Sequence, residues 1–267
     1  MGERKEILNQ FYSEVCDEDG RLKSRRGSVE FLTTVHYIEK YLFDGARILE
    51  VGAGTGRYSL YYAEKGYSIN AIEYVESNLA KLKSRITSGM NIAAEQGDAI
   101  DLSRFGDDTF DLTLVLGPLY HLYEREDQEK AIEEAVRVTK ENGIIVIAYL
   151  ASDSVIIDWA LRDHHLIDGY GKDFDENFKI INYPEGVFAA FYISEFKDLM
   201  KKFPVSMEHN VATDGMTRHM REQIQELSGE EFDMWMKYHL SACEREELQG
   251  YSNHLIYICR KSGRSRL

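Results

Sequence analysis

A short stretch with glycine at every second position is the part of this sequence best suited to holding a small molecule. After an apolar run that ends in Glu50 and Val51, the chain continues through Gly52, Ala53, Gly54, Thr55 and Gly56. The pattern predicts a buried parallel strand that breaks into a tight turn and opens a helix. Glycine suits such a turn because it tolerates positive φ and leaves space for a ligand against the backbone. The alternative is a turn that binds nothing, but three alternating glycines weaken a fold unless something approaches the backbone.

The spacing of these glycines separates two kinds of cofactor. A dinucleotide fingerprint, G-x-G-x-x-G, needs its third glycine where this chain has Arg57. The observed order, an acid followed by alternating glycines, resembles motif I of the class I, Rossmann-like S-adenosylmethionine-dependent methyltransferases. The resemblance covers residues 30–150 well and the C-terminal third in outline, and it points to a bacterial group acting on small molecules. It implies S-adenosylmethionine as the cofactor, with S-adenosylhomocysteine as the product, and cofactor contacts at Glu50, Gly52, Ala53, Gly54 and Gly56.

Two acids stand where the next predicted strands end. Glu73 closes the second strand and Asp98 follows the third. The resemblance implies that Glu73, with Tyr74 beside it, accepts both ribose hydroxyls, since each carboxylate oxygen can accept one O–H. It also implies that Asp98 accepts the adenine amino group and that the Ala99 N–H faces the ring. Taken singly, each acid could equally be a solvated residue at a strand end.

The fourth strand ends in Leu116-Gly117-Pro118-Leu119-Tyr120-His121. Carbonyls at Leu116 and Gly117 are freed where proline stops the ladder, and they can face the cofactor ammonium or the acceptor. The stretch differs from the Asn/Asp-Pro-Pro-aromatic motif of nucleobase amino methyltransferases, because Gly117 has no acceptor side chain and Leu119 replaces proline. The sequence therefore argues against methylation of nucleobase amino groups.

His121 is the residue best placed to act as a general base, since its ordinary pKa lies near neutrality. The alternative is a structural histidine that bonds a loop carbonyl. Tyr120, and Tyr12 from the N-terminal region, could face the sulfonium methyl through their rings or hydroxyls, although packing explains most tyrosines equally well. Methyl transfer is an in-line displacement, so no metal is expected. A basic loop containing Arg21, Arg25 and Arg26 could meet the cofactor carboxylate or could simply be solvated.

The elements that must position these residues alternate regularly. Strands are predicted at 46–51, 67–73, 91–96, 110–116 and 144–150, with helices at 58–65, 77–86 and 125–140 and a helix cap at Asn142-Gly143. They predict an α/β fold with a doubly wound, mostly parallel sheet. Further strands at 205–211 and 254–260 would complete seven, and the resemblance implies that these two form an antiparallel pair.

Two regions flank this core. Helices predicted at 3–16 and at 28–41, with Ser28 as N-cap, form an N-terminal part over 1–45 that the resemblance places over the cofactor pocket. The core spans 46–150. The remainder, 151–267, contains insertions at 152–187 and 213–249, the second marked by a capping box at Ser228, that would form a substrate cap.

Composition limits the partners. A net charge of −14 over 267 residues repels phosphate backbones, so nucleic acid and anionic membranes are unlikely partners and a small molecule suits better. Cys16, Cys243 and Cys259 have no metal-ligand spacing, and no run approaches 18 apolar residues. These features predict a soluble, cytoplasmic protein, with its oligomeric state left open.

The sequence thus predicts a methyltransferase that moves a methyl group to nitrogen or oxygen of a small molecule. Three other interpretations stay open. A nicotinamide-dependent oxidoreductase is opposed by Arg57, and methylation of RNA or protein is opposed by the charge. A non-catalytic protein that binds S-adenosylmethionine as a sensor or scaffold would carry the same cofactor residues.

Overall fold

A single twisted sheet forms the centre of the computed structural model, which describes residues 2–12 and 24–263. Seven strands of this described part make up the sheet: β1 (Arg47–Val51), β2 (Ser68–Glu73), β3 (Ile92–Gln96), β4 (Phe110–Val115), β5 (Thr139–Leu150), β6 (Val205–Ala212) and β7 (His254–Lys261). Their order across the sheet is β3-β2-β1-β4-β5-β7-β6. The pairs that β7 makes with β5 and β6 are antiparallel, and the others are parallel. The predicted mostly parallel, seven-stranded sheet and its antiparallel final pair are therefore confirmed.

Helices cover both faces of the sheet. They are α1 (Gly2–Gln10), α2 (Arg25–Ile38), α3 (Arg57–Glu64), α4 (Glu76–Arg85), α5 (Arg125–Val138), α6 (Ser152–Val155), α7 (Ile193–Met200), α8 (Arg221–Glu226), α9 (Gly229–Ala242) and α10 (Glu246–Gln249). Short 3₁₀ turns lie at Glu39–Tyr41, Pro118–His121, Pro184–Gly186 and Gly215–Arg218. In the part of the chain that the structure describes, no helix is both long enough and apolar enough to cross a bilayer.

The central strands are buried on both faces, as their apolar sequences require. Ile48, Leu49 and Val51 of β1 are at most 1% exposed. One core, which includes Leu49 and Val51, lies on the face covered by α5 and α7, and a second, which includes Ile48, lies on the face covered by α2 and α3. Because β1 lies between β2 and β4, the chain reverses direction across the sheet here, and a crevice opens at the carboxyl ends of these strands.

The structure corrects two local predictions and tests only part of a third. The second helix begins earlier than predicted, because Ser24 and not Ser28 is its N-cap and accepts the N–H of Gly27. Asn142-Gly143 does not cap a helix: α5 ends at Val138, and β5 runs from Thr139 through an irregularity at Asn142, whose φ is 62°. The N-terminal helix ends at Gln10, and residues 13–16 of the predicted helix lie outside the described residues.

The C-terminal region departs most from the simple alternation. Helix α6 continues as a π-helix over Ile156–Leu161, and the following segment packs its own apolar cluster around Phe174. The 213–249 segment contains three helices and a 3₁₀ turn where two helices were predicted. The capping box at Ser228 is present, with reciprocal bonds to Glu231. The division of the chain into domains stays a prediction.

Candidate functional site

Two cavities flank the glycine turn at the carboxyl edge of the sheet. The front cavity lies against α1 and brings together eleven predicted residues, Tyr12, Gly52, Gly54, Glu73, Tyr74, Asp98, Ala99, Leu116, Gly117, Tyr120 and His121. The back cavity lies against α2, and its lining includes Glu50, Gly52, Ala53, Gly54, Leu116 and Tyr120. Gly56 lines neither cavity.

The three glycines of the turn have different reasons to be glycine. All have positive φ, at 78°, 55° and 92° for Gly52, Gly54 and Gly56. A Cβ on Gly52 would lie 2.6 Å from Cδ of Pro118, and one on Gly56 would lie 2.2 Å from Cδ1 of Leu82. A Cβ on Gly54 would meet no atom within 4 Å. Gly56 therefore serves packing against α4, whereas Gly54 is where the backbone is open to a ligand.

Glu73 fastens the turn to the start of α4. Its carboxylate accepts the N–H of Gly54 at 2.7 Å and the N–H of Val75 at 2.8 Å. Burial raises the pKa of Glu73, while these backbone donors and Asn78 oppose the rise. Glu73 lines the front cavity, and a carboxylate there is an acceptor of the kind that the two hydroxyl groups of a diol need.

A buried polar atom in the same wall lacks a partner. Oδ1 of Asn78 is buried, and it makes no hydrogen bond within the described residues. Asn78 lines the front cavity beside Glu73. Because an unpaired buried acceptor costs about 1–3 kcal/mol, a ligand carrying hydroxyl or amino hydrogens fits this wall better than an apolar one.

The carboxylate of Asp98 is bound by a side chain from the N-terminal helix α1. The guanidinium of Arg4 forms an ion pair with Asp98 and lies 4.6 Å from the ring centroid of Tyr74. With Arg4 there, the front cavity has a volume of about 90 Å³. A nucleoside can reach Asp98 only if Arg4 withdraws.

Glu50 is the buried acid of the back cavity. It is 1% exposed and accepts a short hydrogen bond from the hydroxyl of Ser59. Burial raises the pKa of Glu50 to about 8; the Ser59 bond opposes this rise and the charge of Glu73 reinforces it. Glu50 is therefore largely protonated near neutral pH, and a cation bound beside it would favour the carboxylate.

His121 uses both ring nitrogens in hydrogen bonds. Its Nδ1 lies 2.9 Å from the carbonyl of Val187, and its Nε2 lies 2.8 Å from the hydroxyl of Tyr12. Burial lowers the pKa of His121 to about 4 in spite of the Val187 bond. The neutral ring then donates from Nδ1 to the carbonyl and accepts the Tyr12 proton at Nε2. This geometry has the loop-carbonyl bond of the structural alternative, and the catalytic role of His121 stays a prediction, as does that of Tyr120.

Of the three arginines in the basic loop, Arg25 is the one whose side chain the structure describes, and it does not line either cavity. Arg25 donates to the carbonyl of Gln225 at 3.3 Å and lies over the ring of Phe232. Arg21 and the side chain of Arg26 lie outside the described residues. Arg57 lines the back cavity, and Arg85 donates to the carbonyl of Thr55 in the turn at 3.2 Å.

A third and larger space, the cap cavity, lies beyond the ends of β5 and β7 and has a volume of about 420 Å³. The π-helix, the 180–188 segment and the start of β7 enclose it. Sequence reasoning placed an acceptor pocket in the 152–187 and 213–249 segments, where Trp159 and Trp235 suggested an apolar or aromatic acceptor or plain packing; Trp159 lines this cavity. The signal is weak because the lining residues come from four separate segments without a common motif.

Residues 49–147 match the family model of the methyltransferase domain. Over 111 residues the chain is 32% identical to a demethylmenaquinone methyltransferase of Clavibacter sepedonicus, covering 42% of this chain and 44% of that protein. It is 29% identical to a glycine/sarcosine N-methyltransferase of Parasynechococcus marenigrum, covering 42% of this chain and 41% of that protein. The chain thus matches less than half the length of these relatives.

The likeness extends over the whole chain at the level of structure. A solved S-adenosylmethionine-dependent methyltransferase of Thermotoga maritima, described as a possible histamine N-methyltransferase, superimposes with a TM-score of 0.58. The superposition covers 97% of this chain and 100% of the other, at 17% sequence identity. At that identity the likeness concerns the fold alone.

Proposed function

We propose that this protein uses S-adenosylmethionine to methylate nitrogen or oxygen of a small molecule. Residues 49–147 match the model of a methyltransferase domain, and the chain has the fold of class I, Rossmann-like methyltransferases. The observation that carries the proposal is the front cavity. There an open glycine backbone, a buried carboxylate and a second carboxylate converge at the ends of β1, β2 and β3. These groups match the hydrogen-bonding needs of an adenosine.

The front cavity supplies the contacts for the nucleoside. Glu73 would accept the two ribose hydroxyls, and the unpaired Oδ1 of Asn78 offers a further acceptor beside it. Asp98 would accept the adenine amino group after Arg4 has withdrawn. Gly54 lets the ligand approach the backbone because no side chain fills the space above it.

The back cavity would hold the amino-acid end of the cofactor. Its lining combines Glu50 with Arg57 and Thr34, so a carboxylate, a guanidinium and a hydroxyl are available to a zwitterionic group. Burial disfavours the ionised form of Glu50, and a positively charged ammonium beside it would favour the carboxylate again. A carboxylate would pair with Arg57.

When bound, the cofactor supplies a methyl carbon activated by its positively charged sulfur. The contribution of this chain is alignment and exclusion of water. Tyr120 lines both cavities and lies where the two ends of the ligand would meet. Leu8 and Tyr12 of the N-terminal region close the front cavity from above.

A screen of acceptors with methyl-labelled S-adenosylmethionine tests this proposal. The pools should contain amines, amino acids, phenols and carboxylates, and the label should move to a small molecule in at least one pool. The Glu73→Gln variant should lose this transfer, whereas Glu64→Gln, at an exposed position on α3, should keep it. Binding of S-adenosylhomocysteine without transfer in any pool would contradict catalysis and leave a binding protein.

A further inference from the structure

A histidine and an aspartate lie between the back cavity and the cap cavity. His254 begins β7, and Asp214 follows the end of β6 by two residues, so the antiparallel pair brings them together. Nδ1 of His254 lies 2.9 Å from Oδ2 of Asp214. His254 lines both cavities.

The hydrogen bonds around Asp214 fix the tautomer of His254. Burial alone would raise the pKa of Asp214, but the bond and charge of His254, with the Ser252 hydroxyl, hold it at about 2. Oδ1 also accepts the backbone N–H groups of Asn253 and His254, at 2.9 and 3.1 Å. Asp214 is therefore ionised and only accepts, so Nδ1 of His254 carries the proton. The lone pair of the neutral ring is on Nε2, which makes no hydrogen bond with the residues that the structure describes.

This arrangement suits a proton acceptor better than a metal site. Glu30, Asp214 and His254 do place potential ligand atoms within 4.8 Å of one another. However, Oδ1 of Asp214 already has three donors, and Nδ1 of His254 holds a proton where a metal would need a lone pair. A carboxylate oxygen of Glu30 lies 3.8 Å from the same Nδ1.

The cap cavity beside this pair is suited to a flat, apolar acceptor. Its lining includes Trp159, Tyr183, Phe188, Leu150, Val155 and Ile180. The charged groups of its wall are largely engaged with each other: Asp158 accepts from Arg162, Arg218 and Arg221, and Asp173 from Tyr183 and His165. A volume of about 420 Å³ holds an aromatic compound of small to medium size.

We propose that His254, positioned by Asp214, is the general base for an aromatic hydroxyl compound bound in the cap cavity. The inference deepens the proposed function and rests on it. The acceptor O–H bond breaks, its proton moves to Nε2, and Nδ1–H stays bonded to Asp214. The phenolate oxygen then forms a bond to the methyl carbon while the carbon–sulfur bond breaks and its electron pair remains on sulfur. The imidazolium afterwards releases its proton to water.

Groups from several elements set the affinity of His254 for that proton. Glu30 of α2 and Asp214 are the nearby carboxylates, and Arg218 acts on Asp214 from the 3₁₀ turn. His239 of α9 lies close to Asp214, and burial lowers its pKa, which keeps it neutral. The ring of Tyr120 lies 6.2 Å from that of His254.

Binding of 4-nitrophenol tests the inference without turnover, because only its phenolate is yellow. The full-length protein, saturated with S-adenosylhomocysteine, is titrated at a pH where the free phenol is mostly protonated. The wild type should bind it as phenolate, and His254→Gln should lower the bound phenolate at least tenfold. Imidazole added to His254→Ala should restore it. His36→Gln, at an exposed position on α2, is the matched control and should behave as wild type.

The possible results distinguish the role of His254 from the binding of the cofactor product. Bound phenolate that persists unchanged in His254→Gln, or no bound phenolate in the wild type, would overturn the assignment. Asp214→Asn should weaken the signal while S-adenosylhomocysteine still binds, which shows that the fold is intact. If the wild type does not bind S-adenosylhomocysteine, the proposed function fails and the assignment of His254 fails with it, whereas binding of S-adenosylhomocysteine without bound phenolate overturns the assignment of His254 alone.

Discussion

Glu73 joins the glycine turn to the start of α4 in the proposed cofactor site. It accepts the N–H of Gly54 and the N–H of Val75, so it shapes the turn, and it also lines the front cavity. We expect Glu73→Gln to weaken binding of S-adenosylhomocysteine by roughly 10- to 150-fold, the equivalent of a charge-assisted hydrogen bond of about 1.5–3 kcal/mol. Calorimetric titration measures this, with Glu64→Gln as the control. Equal affinity in Glu73→Gln would remove Glu73 from the site.

Glu50 should make stability depend on pH. Burial raises the pKa of Glu50 to about 8, well above the ordinary value of a glutamate, so the folded state binds the proton more tightly than the unfolded state. Its contribution is therefore full below the unfolded pKa and is lost as pH rises through about 8, by up to about 1.4 kcal/mol per pH unit. Urea unfolding across this range should show a steeper loss in wild type than in Glu50→Gln. Parallel curves would mean that Glu50 is ionised in the folded protein.

Residue types at strand ends could be predicted from the sequence, whereas their partners could not. Glycine spacing and acids closing successive strands are local signals, and the structure brings Gly54, Glu73 and Asp98 into one cavity. The contact of Asp98 with Arg4 spans 94 positions, and the contact of His254 with Asp214 spans 40. Such contacts leave no trace in local periodicity.

At the scale of elements, α1 acts as a strap over the front cavity. Arg4 occupies Asp98, the group proposed to accept the adenine amine, and its side chain is 13% exposed. Cofactor binding must break this ion pair, so Arg4→Gln should bind S-adenosylhomocysteine more tightly, by up to about fivefold for a pair worth about 1 kcal/mol. Lys5 is also on α1 and forms an exposed ion pair with Glu76 of α4, so Lys5→Gln should leave the affinity unchanged. Weaker binding in Arg4→Gln would show that Arg4 assists the ligand.

Elements with strong local signals were predicted within one or two residues, and those decided by long-range contacts were not. The capping box at Ser228 is local and is present. Strand β5 continues through Asn142 and Gly143 because it pairs with β4 on both sides of them. Phe110 of β4 lies opposite Thr139, and Leu112 lies opposite Ile144, so β5 has extra residues between these two pairs. A glycine after a helical pattern predicts the end of a helix. Only the pairing with the neighbouring strand shows that these residues belong to an irregular strand.

At the scale of the whole molecule, the sheet order determines where a ligand binds but not which acceptor is used. The crevice follows from the reversal of chain direction between β1 and β4. The cap cavity follows from segments whose sequences carry no shared pattern, and function resides in such sites and not in the fold. The aromatic wall and the Asp214–His254 pair therefore had to come from the structure.

The most direct test of the central claim is calorimetric titration with S-adenosylhomocysteine and, separately, with NADH. The account predicts binding of the first alone, lost in Gly54→Asn, since asparagine tolerates positive φ but fills the open space above the turn. Gly45→Asn, at another exposed glycine with positive φ and no neighbour within 4 Å, should bind like wild type. Binding of NADH alone, or unchanged binding of S-adenosylhomocysteine in Gly54→Asn, would contradict the account.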